Sequence, residues 1–157
     1  MNTDAFYTSL PRKRMSAGAI FLDDNGRILL VEPTYKPVWE IPGGVIEENE
    51  SPLEACIREV EEEIGLQKRP LRLWCVDYIK ADDHRTESIV FIFDGGQLTP
   101  EETTRITLPA DELHSYRFCT LAEAQARLNP RLGKRAAQCL AHPGQTIYLE
   151  NQEKPFE

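Results

Sequence analysis

The sequence predicts one mixed α/β domain, with helices on both faces of a β-sheet. Strand-like runs precede and follow a central amphipathic helix, and further helical segments come late in the chain. The chain has 157 residues, about the length of one domain, and its composition, 41% hydrophobic and 28% charged, is that of a globular protein. We expect the domain to cover residues 1–149 and residues 150–157 to form a loose tail.

The strands are predicted from apolar, β-branched and aromatic runs that turn residues separate. Asp24-Asn25-Gly26 favours a tight turn, so the runs on either side of it form a β-hairpin. Prolines and glycines make residues 33–44 mostly loop around one short strand. The predicted strands cover residues 14–22, 27–31, 39–41, 71–80, 88–93, 113–119 and 146–149.

Helices are predicted at residues 52–64, 121–128 and 131–141, and the first has the clearest boundaries. Ser51 is a suitable N-cap, Pro52 suits the first helical position, and Glu54 completes a capping box. Gly65 suits the left-handed position that ends a helix. Four apolar side chains share one face and form the predicted core seam: Leu53, Ile57, Val60 and Ile64.

The net charge of −8 is concentrated in one segment. Residues 44–66 contain eight glutamates and one basic residue, Arg58, whereas the rest of the chain has 17 basic and 18 acidic residues. This balance argues against a general polyanion binder, because duplex affinity depends on Lys and Arg. We therefore expect no long nucleic acid as a partner.

Glu59, Glu62 and Glu63 share a helix face that lies away from the apolar seam. Like charges at this spacing repel, and no Lys or Arg lies four residues further on to offset them. One interpretation is a solvated helix face. The other is a site for a hard divalent cation such as Mg²⁺, which prefers oxygen ligands.

The whole segment, Gly44-Val-Ile-Glu-Glu-Asn-Glu50-Ser-Pro-Leu-Glu-Ala-Cys-Ile-Arg58-Glu59-Val-Glu-Glu62-Glu63-Ile-Gly65-Leu66, fits a long pattern at every specified position. That pattern, Gly-x5-Glu-x7-Arg-Glu-U-x-Glu-Glu-x-Gly-U with U apolar, is the Nudix box. The chain therefore resembles the Nudix (MutT-like) hydrolases. The resemblance implies an α/β/α sandwich with a mixed sheet, and hydrolysis of a nucleoside diphosphate linked to another group with Mg²⁺ or Mn²⁺.

The resemblance also implies a role for each residue of the box. Arg58 corresponds to the residue that orients the carboxylates, and Gly43 lies in the turn that shapes the site for substrate. Glu63 and Glu62 are both candidates for the base that takes a proton from water. The implied metal set is Glu59, Glu62, Glu63, Glu50 and Gly44.

Four further residues are candidates outside the box. Family members often take another acid from a later loop, and Glu112 or Glu87 fits that placement, although either is equally well an exposed loop residue. Tyr35 and Trp39 flank the approach to the box and are candidates to stack on a nucleobase, although a core position is the better expectation for Trp39.

The substrate is predicted by elimination. The Pro typical of ADP-ribose hydrolases is replaced by Ala81 and Asp82, and Tyr78 comes too early for the diadenosine polyphosphate pattern. A nucleoside or deoxynucleoside triphosphate, cut to a monophosphate and pyrophosphate, is the first expectation. The alternatives are ADP-ribose or a nucleotide sugar, a non-catalytic nucleotide-binding regulatory domain, and an interaction protein that only displays charge.

The remaining expectations concern the environment of the protein. Four cysteines lack any CxxC pair, which indicates reduced thiols in a cytoplasmic protein. No signal peptide or membrane span is expected, since the apolar run at residues 17–22 is short. A homodimer is expected from the resemblance alone.

Overall fold

The computed structural model describes residues 3–157, and a seven-stranded sheet lies at its centre. The strands are β1 (Arg14–Leu22), β2 (Ile28–Pro33), β3 (Gly43–Val45), β4 (Arg72–Ile79), β5 (Ser88–Gln97), β6 (Leu113–Cys119) and β7 (Ile147–Glu150). The helices are α1 (Thr3–Ser9), α2 (Pro52–Ile64), α3 (Pro100–Thr104), α4 (Leu121–Arg127) and α5 (Pro130–Ala141). The predicted mixed α/β class is confirmed.

The sheet has the order β6-β2-β1-β5-β4-β7, and β3 pairs with β1 beside this path. β1 runs parallel to β5, and β4 runs parallel to β7, whereas the other pairs are antiparallel. β1 pairs with β2 at Leu22 and Ile28, but its residues 16–18 pair with β3 instead. The β1–β2 hairpin therefore opens toward the start of β1, and β3 lies in the opening.

Helices cover both faces of the sheet, as the sequence predicts. On one face Val60 and Ile64 of α2 belong to a buried cluster that contains Phe21 and Leu29 from β1 and β2. On the other face α4 and α5 contribute apolar side chains to a second cluster, which includes Ile92 of β5. The sheet is thus a rigid platform from which loops and helix ends reach a common site.

The boundaries of α2 agree with the prediction to the residue. Ser51 Oγ accepts a hydrogen bond from the Glu54 N–H at 3.1 Å, and Glu54 Oε2 accepts one from the Ser51 N–H at 3.0 Å. Gly65 ends the helix at φ 71°, a left-handed conformation that favours glycine.

The prediction of a strand at residues 39–41 is wrong. Trp39 and Glu40 form only isolated bridges, and the strand is β3, which overlaps the end of the predicted loop. The reason is a close approach to β1: a Cβ on Gly43 would lie 2.6 Å from the Gly18 Cα, so only glycine lets this chain segment pair there. The helices α1 and α3 were also not predicted from the sequence.

The predicted tail is partly fixed in the structure. Gln152 is buried, and its backbone N–H and side-chain amide both donate to the Asp77 carboxylate at 3.1 Å. These contacts hold the chain just after β7 against β4, within the segment expected to be a loose tail. All four cysteines are buried free thiols. Among residues 3–157, no helix has the length and apolar character that a membrane span requires.

Candidate functional site

The site begins where α2 passes beside β3. Gly43 donates its backbone N–H to Glu63 Oε2 at 3.2 Å. The Glu59 carboxylate lies against Gly44, where a Cβ would be only 2.5 Å from Glu59 Oε1. The two glycines that the sequence places before α2 therefore let two carboxylates of the helix approach the backbone of β3.

Arg58 donates hydrogen bonds to three carboxylates: Glu50, Glu59 and Glu62. Its Nε and Nη2 donate to the two oxygens of Glu50 at 2.7 and 2.9 Å, which is a bidentate pair. Its Nη1 donates to Glu59 at 2.9 Å and to Glu62 at 3.2 Å. These hydrogen bonds lower the pKa of Glu50 to about 2 and raise the pKa of Arg58. Arg58 thus links Glu50, Glu59 and Glu62 through hydrogen bonds.

Glu63 is in a different environment. It forms no ion pair with any described residue, and burial raises its pKa to about 8. The nearby charges of Glu59, Glu40 and Glu112 contribute to this rise, and the hydrogen bond from Gly43 opposes it. Burial also raises the pKa of Glu59, and the hydrogen bond from Arg58 only partly offsets this shift. Glu63 is thus a buried carboxyl group of α2 whose charge no described cationic side chain offsets.

The donor set fits a hard divalent cation in chemical type, since it consists of carboxylates next to glycine backbone. Within the described range 3–157, no three His, Cys, Asp or Glu side chains already converge on one ion position. Instead Arg58 donates hydrogen bonds to Glu59 and Glu62, while Glu63 accepts a hydrogen bond from the Gly43 backbone N–H. The residues that could contribute to holding a cation are those of the predicted set: Glu50, Glu59, Glu62, Glu63 and Gly44.

A cavity of about 280 Å³, which we call the main pocket, is lined by Glu63 and Gly44 of this set. Glu63, Glu40 and Lys36 line it at the carboxylate end, and Asn129 and Arg135 of the α5 region line it elsewhere. It lies where the β1–β2 hairpin opens. Apolar side chains form much of the remaining wall: Ala17, Val31, Ile41, Val90, Ile92, Leu113 and Leu132.

The candidates outside the box separate into near and distant residues. Glu112 lies close enough to Glu63 for its charge to raise the pKa of Glu63. Glu87 is distant: it pairs with Lys13 and accepts a hydrogen bond from the Tyr78 hydroxyl at the start of β5. Tyr35 lines the main pocket with its side chain 73% exposed.

Trp39 has a structural environment. Its indole packs against the core cluster on the α4 and α5 side, and its backbone N–H donates to the Arg127 carbonyl at 3.0 Å. The Arg127 guanidinium lies 6.0 Å from the ring centroid. Trp39 is not among the residues that line the main pocket.

Sequence reasoning missed Glu40 and Arg135. Glu40 forms an ion pair with Lys36 and a backbone β-bridge with Val31. Its charge also raises the pKa of Glu63. Glu40 lies between the apolar residues Trp39 and Ile41. This alternation could have indicated that its side chain points away from theirs, toward the site. For Arg135 no local signal exists, since its buried partner lies 58 residues earlier.

Known proteins share both sequence and fold with this chain. An RNA pyrophosphohydrolase of Halorhodospira halophila is 43% identical over 53 residues, which are 34% of this chain and 29% of that protein. A MutT-like protein of Streptomyces ambofaciens is 37% identical over 60 residues, 38% of this chain and 39% of that protein. The matches to these two relatives thus span well under half of their length.

Two further comparisons cover most of the chain. The crystal structure of a MutT protein from Methanosarcina mazei Go1 superposes with a TM-score of 0.69 at 21% identity, over 87% of this chain and 100% of that one, which shows a common fold. The sequence model described as NUDIX domain matches residues 12–142, most of the chain. Together with the intact box on α2, this match shows that the chain belongs to the Nudix family.

Proposed function

We propose that this protein is a divalent-metal-dependent pyrophosphohydrolase that cuts a nucleoside or deoxynucleoside 5′-triphosphate to a monophosphate and pyrophosphate. The single observation that carries the proposal is Glu63, a buried carboxylate without a cationic partner among the described residues, placed at the edge of the main pocket. The pocket volume of about 280 Å³ is at the small end of ligand sites, as suits a nucleoside.

The reaction needs neutralised phosphate charge, an aligned water and a base. A bound divalent cation would supply the charge neutralisation and make water more acidic. Arg58 keeps Glu50, Glu59 and Glu62 oriented toward one another. The water oxygen forms a bond to one phosphorus of the α–β anhydride, the anhydride P–O bond to that phosphorus breaks, and a carboxylate takes the proton of the water. The monophosphate and pyrophosphate then separate.

The geometry favours Glu63 over Glu62 as that base. Glu63 faces the main pocket, whereas the Glu62 side chain is 58% exposed and hydrogen-bonded to Arg58. A base must lie within hydrogen-bond reach of the water that attacks the substrate. Glu112, in the loop before β6, would assist this base, because its charge raises the pKa of Glu63.

The substrate enters with its nucleoside in the main pocket. The apolar walls formed by β1, β2 and β5 suit a nucleobase, and Tyr35 at the exposed rim can stack on it. ADP-ribose and nucleotide sugars contain the same kind of bond, and 5′-triphosphate ends occur on RNA, the substrate in the name of the Halorhodospira relative. The test therefore includes them.

The experiment is a hydrolysis panel with product identification by ion-exchange chromatography. The compounds are the ribo- and deoxynucleoside triphosphates, ADP-ribose, UDP-glucose and a 5′-triphosphorylated RNA oligonucleotide, each with Mg²⁺, Mn²⁺ or a chelator. We expect monophosphate and pyrophosphate from at least one triphosphate with metal, and none with chelator. Hydrolysis of ADP-ribose or UDP-glucose alone would overturn the substrate assignment. Failure of every compound with both metals would overturn the enzymatic function.

A further inference from the structure

A second cavity, of about 160 Å³, lies at the start of β1 and β5. It shares Val90, Asn129 and Arg135 with the main pocket, so the two cavities adjoin. No acidic residue lines it, although the whole chain carries a net charge of −8. We call it the basic pocket after its five basic lining residues: Arg14, Lys80, Arg85, Arg131 and Arg135.

Arg135 is a fixed charge at the junction of the two cavities. Its side chain is only 8% exposed, and its Nε donates to Asp77 Oδ2 at 2.8 Å. Asp77 is fully buried and also accepts both hydrogen bonds from Gln152. Arg135 lines both cavities, and its hydrogen bond to Asp77 uses only Nε.

The other basic side chains are only partly neutralised. Arg131 pairs with Asp82 at 3.3 Å. Arg14 donates to the Thr86 hydroxyl and carbonyl, both at 2.7 Å, which are neutral acceptors. In the part of the chain that the structure describes, no ion pair is formed by Lys80 or Arg85.

Few carboxylates compete for this pocket. Asp82 is committed to Arg131 and to two backbone N–H groups of its own loop. Glu87 is committed to Lys13 and the Tyr78 hydroxyl. Asp83 is exposed in the same loop and does not line the pocket. A surplus of positive charge therefore faces the cavity, and an anion is its natural occupant.

The strand register gives the separation between the basic pocket and the carboxylates. Gly18 pairs with Gly43, which binds Glu63, whereas Arg14 lies four residues earlier on β1 and pairs with Ser88. Four residues of strand span about 13 Å. A ligand that reaches both ends is thus longer than a nucleoside and carries an anionic group remote from the bond that is cut.

We propose that the basic pocket binds a phosphate that the substrate carries on the far side of the nucleoside from the pyrophosphate. This inference rests on the proposed function, because it places the nucleoside in the main pocket. The phosphate has two possible sources, a terminal 3′-phosphate or the phosphodiester of a following nucleotide. Guanidinium groups suit both, since each presents oxygens that accept paired hydrogen bonds.

The test compares kcat/KM for three compounds that share the best nucleoside: the 5′-triphosphate, its 3′-phosphorylated form, and a 5′-triphosphorylated trinucleotide. We expect a higher kcat/KM, through a lower KM, for at least one extended compound. Arg85→Gln and Lys80→Gln should each reduce this preference by roughly threefold to fivefold. The matched control is Lys134→Gln, an exposed residue of α5 outside both pockets, which should leave the preference unchanged.

A preference only for the 3′-phosphate identifies a terminal phosphate, and a preference only for the trinucleotide identifies a phosphodiester. Equal kcat/KM for all three compounds, or a preference that both variants retain, would overturn the inference. Calorimetry measures the binding of the same compounds in the presence of a chelator. This measurement tests the basic pocket even if the proposed hydrolysis does not occur. If nothing is hydrolysed, tighter binding of an extended compound, lost in Arg85→Gln, still supports the basic pocket, and equal binding contradicts it.

Discussion

Gly44 shows how a single missing side chain shapes the site. It pairs with Ala17 of β1, and the space that its Cβ would fill is occupied by the Glu59 carboxylate. Glycine at this position therefore leaves room for the Glu59 carboxylate, which any Cβ would force to move. The fixed spacing in the sequence between this glycine and Glu59 reflects that contact.

Replacing Gly44 with alanine should weaken cation binding. The new methyl group would lie 2.5 Å from Glu59 Oε1, so the carboxylate must move away. We expect the affinity for Mn²⁺ to fall by roughly tenfold or more, the cost typical of disturbing groups that orient metal ligands. Electron paramagnetic resonance of free Mn²⁺ measures this affinity directly.

The matched control for Gly44→Ala is Gly133→Ala. Gly133 lies in α5, where an added Cβ would make only ordinary contacts, at 3.5 Å, with Gln125. This variant should keep the Mn²⁺ affinity and fold at least as stably, because alanine favours a helix. Wild-type Mn²⁺ affinity in Gly44→Ala would show that Glu59 does not contribute to the cation site.

At the scale of elements, α2 could be predicted and β3 could not. The capping box, Gly65 and the apolar seam are all local signals, so they give the ends and orientation of the helix. β3 is a three-residue strand that forms because β1 lies beside it, and its residues Gly43 and Gly44 have low strand propensity. Local patterns contain no information about such a non-local pairing.

The N-terminus of α3 offers a test of pH-dependent stability outside the site. Glu102 caps this helix through Thr99 and pairs with Lys68 at 2.9 Å. The hydrogen bond from Lys68, with that from the Thr99 N–H, lowers the pKa of Glu102. A carboxylate with a lowered pKa in the folded state contributes stability above its unfolded pKa, near 4.5, and loses it as the pH falls through the folded value.

Glu102→Gln should therefore lower the free energy of unfolding by about 0.5–1 kcal/mol at pH 7, with a smaller difference from wild type at pH 4. Urea unfolding of both proteins at the two pH values measures the difference. If the difference grows on acidification, the Glu102 carboxylate does not stabilise the folded state through its charge. The exposed Glu101→Gln, one residue away on the same helix, serves as the control for loss of a charge.

At the scale of the whole molecule, the sequence predicts the carboxylate half of the site but not the pocket half. The glutamates of α2 lie within one helix, so their spacing is visible in the sequence. The main pocket instead brings together β1, β2, β5 and α5, and its Arg135 depends on Asp77 and Gln152 from two other parts of the chain. Only the assembled sheet places these residues together.

Asp77→Asn should strongly destabilise the protein. It removes the carboxylate that faces the Arg135 guanidinium, whose side chain is 8% exposed, and breaking such a buried pair costs about 3–5 kcal/mol. Gln152→Ala removes only a neutral donor and should cost about 1 kcal/mol. Urea unfolding ranks the two variants, and equal stabilities would contradict the central place of the Asp77–Arg135 pair.

The most direct test of the central claim is the rate of pyrophosphate release, with Mg²⁺ and the best triphosphate, by Glu63→Gln and Glu61→Gln. Both variants remove one carboxylate from α2, but Glu61 is exposed, and its contact with Gln67 needs only an acceptor oxygen, which glutamine keeps. We predict that Glu63→Gln lowers kcat by about 100-fold or more, as loss of a general base does, and that Glu61→Gln retains the wild-type rate. Wild-type turnover by Glu63→Gln would contradict the assignment of the site.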